Sequence, residues 1–277
     1  MNRFIIVCLC SVLPFSNALA QYRPWKYWED KPGTWSLAFE AGATRYAGDM
    51  SEEKDLFVRP RLGAEGAVSV LYRFADRFSA RADGRMYMVW GMQESTRVWF
   101  NNLSFMAINP ELCVGVQTDL FPADQRDRPI NPYLFVGVGL TYLNTLTRFQ
   151  KHWITLPRLH TEDVVYNRYP ALMKIAVGHP ILIRYRYRLT AEMAYTALFS
   201  DYLDDVSTVY PDMSKLEPLG QALSDRRYAL GIGLPPAQPG DQRGNPTRND
   251  GYFSLSLRFT RQLSTEADTR YRRVIGW

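Results

Sequence analysis

His152, His160 and His179 are the only imidazoles in the chain, and none has a partner at the spacing that a metal centre or a nucleophile and base would need. There is no GxSxG, HExxH, P-loop or CxxC motif, so hydrolytic, phosphoryl-transfer and thiol chemistry lack their usual carriers. The densest acid group is Asp201, Asp204, Asp205 and Asp212. Such oxygens can chelate Ca²⁺, but these lack the regular ligand spacing of a calcium loop. Hydrogen bonding to loop backbone at a strand exit is the simpler expectation. No cofactor and no small-molecule substrate are expected. Cys8 and Cys10 lie in an N-terminal apolar stretch, so Cys113 has no intramolecular partner in a processed chain.

The elements that must position these residues are strands. Mean hydropathy is -0.27 and aromatic residues reach 14% of the 277 positions. Past the N-terminus no apolar run approaches the roughly 20 residues of a membrane helix, which excludes a helical multispan protein. Arg3, the apolar run Phe4 to Phe15 and the small-x-small site Ala18-Leu19-Ala20 read as an export signal over residues 1–20. The formal net charge of +5 comes from basic residues spread along the chain, a pattern that does not point to nucleic acid.

A period of two recurs in eight segments of about ten residues. One side is bulky and apolar: Trp35, Leu37 and Phe39, then Leu62, Val68 and Val70, then Phe78, Met86 and Met88. The pattern continues through Leu112, Val114 and Val116, Leu134, Val136 and Val138, Met173, Ile175, Val177, Ile181 and Ile183, Leu189 and Met193, and finally Phe253, Leu255 and Leu257. The other side mixes Gly, Ala and Ser with isolated charges, as a narrow interior requires. Its acids are Glu40, Glu65, Asp83, Glu111, Asp119 and Glu192, and its bases are Arg61, Arg81, Arg85, Lys174, Arg184 and Arg258. The balance suits a water-poor lumen, where an unpaired charge costs several kcal/mol. The fold class is therefore all-β, an eight-stranded antiparallel transmembrane β-barrel with long extracellular loops.

Connections around 75–76, 122–132 and 187–188 are short, and those at 43–58, 91–102, 144–170 and 201–250 are long. The alternation places the short turns and both barrel ends in the periplasm of an outer-membrane protein. Trp35, Tyr72, Phe78, Trp90, Phe121, Tyr142 and Phe199 fall where aromatic girdles belong. His179-Pro180 interrupts the sixth strand; a bulge there would admit the proline and shift the phase of the residues after it. Met213 to Tyr228 has helical potential within the last long loop. The organisation expected is a signal over 1–20, a periplasmic segment over 21–33, a barrel over 34–263 and a periplasmic tail over 264–277. Trp25, Tyr27 and Trp28 in the first segment and Arg272, Arg273 and Trp277 in the tail are candidate partner contacts, because aromatic and arginine side chains dominate interface energy.

Several stretches resemble a known family. Tyr46-Ala47-Gly48-Asp49-Met50, Asn102-Leu103-Ser104-Phe105, Asn131 to Gly139, Arg243-Gly244-Asn245, Asn249-Asp250 and above all Asp201-Tyr202-Leu203-Asp204-Asp205-Val206-Ser207 are similar to the PorG-like outer-membrane barrels of Bacteroidetes. The resemblance spans about residues 35 to 263, and the 14 residues after Leu263 depart from it. It implies a non-enzymatic barrel among outer-membrane lipids, scaffolding the periplasmic ring of the type IX secretion system, a ring that includes a lipoprotein. A stand-alone adhesive barrel acting through its outer loops is the alternative, and a barrel enzyme with residues scattered over strand tops is a third.

Overall fold

The computed structural model describes residues 31–50, 61–96, 98–122, 131–184 and 186–264. The period-two segments form strands β1 (Trp35–Ala47), β2 (Leu62–Arg73), β3 (Phe78–Met92), β4 (Ser104–Asp119), β5 (Tyr133–Thr141), β8 (Ala171–Arg184), β9 (Tyr187–Leu198) and β10 (Gly251–Ser264). Each pairs antiparallel with its chain neighbour, and β1 pairs with β10 to complete a ring of eight. Closure leaves no free edge, the condition for a sheet to cross lipid.

The two faces differ in kind. Leu112, at 71% exposure, and Val114, Val138, Met193, Leu255 and Leu257 all face outward. A contiguous apolar girdle of this extent does not occur on a water-soluble monomer; it is a lipid-facing belt. No helix among the described residues is long and apolar enough to span a membrane, so the strands make the crossing. The protein is an eight-stranded outer-membrane barrel, with the connections from β2 to β3 and from β8 to β9 at one end and the long connections at the other.

The structure departs from the sequence reading at four places. β1 runs on to Ala47, so Tyr46 stands in the wall and not in a loop, and β4 already begins at Ser104. Within the 144–170 connection, β6 (Thr145–Phe149) and β7 (His152–Thr155) form a hairpin whose first strand pairs with the upper part of β4. The bulge expected at Pro180 is present, as a slip in the register of β8 against β9 between Pro180 and Leu182, and only the phase read beyond it changes. That bulge turns Leu182 outward and Ile183, at 8% exposure, inward, correcting the lipid-facing position read for Ile183. The helical stretch 213–228 is one short helix, α1 (Pro218–Ser224), between two 3-10 turns, since Glu217-Pro218 starts it and Asp225 ends it within two turns.

Candidate functional site

Strand parity alone drives the charges inward. Lys174 is fully buried and Glu192 is 1% exposed, and Glu40, Glu65, Asp83, Glu111, Arg81, Arg85 and Arg258 are buried with them. Glu192 is the hub. Arg81 donates to it twice, from Nη1 to Oε2 at 2.8 Å and from Nη2 to Oε1 at 2.9 Å, a bidentate contact that fixes both side chains. Arg258 Nη1 donates to Oε2 at 3.0 Å, Tyr133 Oη donates to the same oxygen at 2.5 Å, and Lys174 Nζ lies 4.0 Å from Oε1. Arg81 also donates from Nε to Asp83 Oδ1 at 2.7 Å and lies 4.2 Å from the Phe135 ring centre.

A second knot lies above the first. Arg85 donates to Glu40 at 3.0 Å and to Glu65, and its Nε is 3.6 Å from Glu111. Tyr252 donates to Glu111 at 2.5 Å and stacks on Tyr87 with ring centres 4.4 Å apart. Gly178 shows how little room is left, because a Cβ there would fall 2.1 Å from Tyr133 Cζ. Toward the short-turn end Arg73 donates to Asp119 at 2.5 Å, beside a pocket of about 10 Å³, the space of one water. Four cations and five carboxylates thus interlock across the middle of the barrel.

The outer mouth is closed by loop residues. Leu203 and Val206 from the connection 199–250 pack on Tyr46, Met50, Val89, Phe105 and Leu143, with Tyr166 and Tyr202 stacked against the cluster. Polar groups of the same segment fasten it. Tyr46 Oη sits 2.7 Å from Asp204 Oδ2 and 2.6 Å from Asp250 Oδ1. A phenol carries one proton, so one of the two carboxyls must hold its own for both contacts to be hydrogen bonds. Burial and the Asp250 carboxylate push Asp204 well above the usual carboxylate range, and burial pushes Asp250 up to about 7. Asp250 Oδ2 accepts from Leu203 N at 2.9 Å and Asp204 Oδ1 accepts from Val206 N at 2.9 Å.

Asp205, with φ of 65°, accepts from Thr161 at 2.5 Å and from Tyr166 at 2.6 Å, and burial raises it to about 6. Arg243 bridges Glu162 at 2.8 Å and the Asp205 carbonyl at 2.6 Å, while Glu162 accepts from Ser207 N and Thr208 N. Asp49 Oδ2 accepts from Asn245 N at 2.5 Å. Burial, with Asp250 nearby, lifts Asp201 to about 8. Gly48 lies beneath the clasp, where a Cβ would fall 1.9 Å from Asp250 Oδ1 and 2.1 Å from Tyr46 Oη.

The residues singled out in the sequence therefore fall into three places. Glu40, Glu65, Arg81, Asp83, Arg85, Glu192 and Arg258 meet in the lumen. Gly48, Asp49, Asp201, Tyr202, Leu203, Asp204 and Asp205 meet in the cap, where Asp204 and Asp205 are buried and bound by protein donors. Asp212 stands apart, accepting from Ser214 N at 3.0 Å. No group of three metal-ligating side chains converges among the described residues. Trp25, Tyr27, Trp28, Arg272, Arg273 and Trp277 lie outside the described residues. Sequence reasoning missed Arg73, Tyr87, Tyr133 and Tyr252 in the lumen, although each continues the inward parity of its strand. It also missed Glu162 and Arg243 as partners, for which no local signal exists.

No family model and no curated protein matches the chain. Among solved structures, it is similar to Neisserial surface protein A, with 10% identity and a TM-score of 0.40 over 83% of this chain and 97% of that one. It is similar to Ail, the attachment invasion locus protein of Yersinia pestis, with 9% identity, a TM-score of 0.40 and coverage of 84% and 99%. The outer membrane protein OprG from Pseudomonas aeruginosa shows 9% identity and a TM-score of 0.41, covering 85% and 98%. Likenesses at this level bring no activity or partner to this chain.

Proposed function

We propose that this barrel is a non-enzymatic anchor of the PorG-like kind, holding the periplasmic ring of a type IX secretion system to the outer membrane. The filled lumen carries the reading. Arg81, Arg85 and Arg258 are locked to carboxylates across the middle, Lys174 lies 4.0 Å from Glu192, and the mouth is covered, so solute passage is a poor use of the fold and its end surfaces are the working parts. The resemblance of Asp201 to Ser207 and its surroundings to the PorG-like barrels supplies the kind of partner: periplasmic proteins including a lipoprotein. They would dock on the short-turn end, on 21–33 with Trp25, Tyr27 and Trp28, and on 264–277 with Arg272, Arg273 and Trp277.

Crosslinking in intact cells, followed by extraction and identification of co-purifying proteins, tests the proposal. A periplasmic lipoprotein should accompany the full chain and be lost on deleting 264–277, while the barrel keeps its heat-modifiable migration. Recovery of the barrel alone from crosslinked cells would sink the anchor reading. An adhesive role through the outer loops is the second reading, favoured by Val165 and Trp153, which stand 82% and 55% exposed on the outer connection 142–170.

A further inference from the structure

The outward face of the wall does not end with the apolar belt. On β4 the outward residues run upward from Val116 through Val114, Leu112 and Ile108 to Met106 and Ser104, while Phe105 and Ala107 point inward. Met106 pairs with Leu146 of β6, which places Leu146 and, two residues further on, Arg148 on the same outward face. Across the hairpin Arg148 is paired directly with Trp153, which is 55% exposed. Arg226, from the connection 199–250, lies at the edge of this strand pair, touching outward Ser104 and inward Thr147. Its Nη1 donates to Ser104 Oγ at 3.1 Å and Thr147 Oγ1 at 3.2 Å, and its Nη2 to the Arg148 carbonyl at 3.4 Å.

Charge and height then define what the surface faces. Between Tyr142 and His160 there are three basic residues and no acid. Arg148, Lys151 and Trp153 are exposed, and among the described residues neither Arg148 nor Arg226 has an acidic side chain in ion-pair contact. Four residues separate Ile108 in the belt from Ser104, a climb of about 10 Å for a tilted strand. That is the level of lipid headgroups, and Trp90, opposite Met106 one strand away, sits at the boundary where tryptophans concentrate. The Arg148 guanidinium paired with an exposed indole, with Arg226 at the neighbouring strand edge, directly above hydrocarbon, matches a phosphate joined to acyl chains.

We propose that the outward face of the β6–β7 hairpin, Arg148 and Trp153 with Arg226 beside them, seats the phosphate-bearing headgroup of an outer-leaflet lipid. The arginines hold the phosphate, the indole lies against the carbon skeleton beneath it, and the acyl chains descend along Met106 and Ile108. The seat goes beyond the anchoring function and rests only on the barrel's place in the membrane.

The test uses the full chain in nonionic detergent, incubated with lipid A or with its dephosphorylated form, and native mass spectrometry to count retained lipid. Lipid A should be retained, and loss of its phosphates should reduce retention by about tenfold or more, the scale of charge-assisted hydrogen bonds. Arg148→Glu, at an exposed position that does not endanger folding, should reduce retention to a similar degree, as should the double variant Arg148→Gln with Arg226→Gln. Arg77→Gln, at the opposite end of the barrel, should change nothing. Equal retention by Arg148→Glu, or of the dephosphorylated form, overturns the proposal. So does binding of a soluble sulfated polysaccharide at the same arginines while lipid A retention stays unaffected, which would make the face a site for solution ligands.

Discussion

The lumen and the cap are both buried polar networks, one stacked above the other, yet they are built on opposite terms. In the lumen, charges meet because eight strands each turn every second residue inward, and Arg81 reaches Glu192 across the barrel and Arg258 from the neighbouring strand, whatever the loops do. In the cap, Tyr46 meets Asp204 and Asp250 across separations of 158 and 204 residues, and the contacts hold only while the connection stays folded. The lumen sets four cations against five carboxylates. The cap holds carboxyls close together without enough cations, and settles them by keeping protons. Carboxylates interleaved with cations are less sensitive to mild changes of pH than carboxyls clustered with one another.

The largest effect is expected from removing the hub. Glu192→Ala strips Arg81, Arg258 and Tyr133 of their shared acceptor and leaves the two buried arginines to share Asp83, a loss of about 3–5 kcal/mol. It should appear as a lowered temperature of the heat-modifiability transition for the whole barrel. Asp250→Ala breaks the clasp instead, orphaning Leu203 N and one side of Tyr46 at about 1–3 kcal/mol. Limited proteolysis should then cut within 199–250 while the barrel core resists. If Asp250→Ala lowers the barrel transition as much as Glu192→Ala does, the two networks are not separable and the contrast fails.

Gly48→Ala is a smaller and more local test. A methyl there displaces either the Asp250 carboxyl or the Tyr46 hydroxyl, costing about 1–3 kcal/mol, and it should reproduce the cleavage pattern of Asp250→Ala in weaker form. The smallest effect is that of pH. Asp205, Asp250 and Asp201 are raised to about 6, 7 and 8 from an ordinary value of 3.8. An acid whose folded value is raised favours the folded cap fully below 3.8 and loses that contribution as pH climbs through the folded values. Proteolysis of 199–250 should therefore quicken between pH 5 and pH 9 while the barrel transition stays in place. Asp204→Asn, which keeps the shape and removes one charge, should flatten that dependence.

What could be read from the sequence follows the same division. Parity along each strand, with an inward charge in nearly every one, specifies the ring and most of its filling; Arg73, Tyr87, Tyr133 and Tyr252 obey the same rule. Pro180 announces a register slip, because a proline nitrogen cannot donate to the ladder. The β6–β7 hairpin was out of reach. Its strands are five and four residues long, too short for a period to stand out, and they exist because β4 rises above the belt and offers an edge. The cap contacts depend on which loop residues meet over a barrel mouth, which local propensity does not encode. The Asp201 to Ser207 run stood out as a motif in the sequence, but its burial and its partners Tyr46, Thr161 and Tyr166 emerge only in three dimensions.

The central claim, that this barrel is filled and capped and works from its ends, is tested most directly by electrical recording of the purified full chain in a planar lipid bilayer. A lumen interlocked by Arg81, Arg85, Arg258 and Glu192 should give no steady ohmic conductance at any modest voltage, with at most brief, irregular current. A stable, voltage-independent open channel in the unmodified protein would contradict the account, because ions would then be passing where the structure places paired side chains.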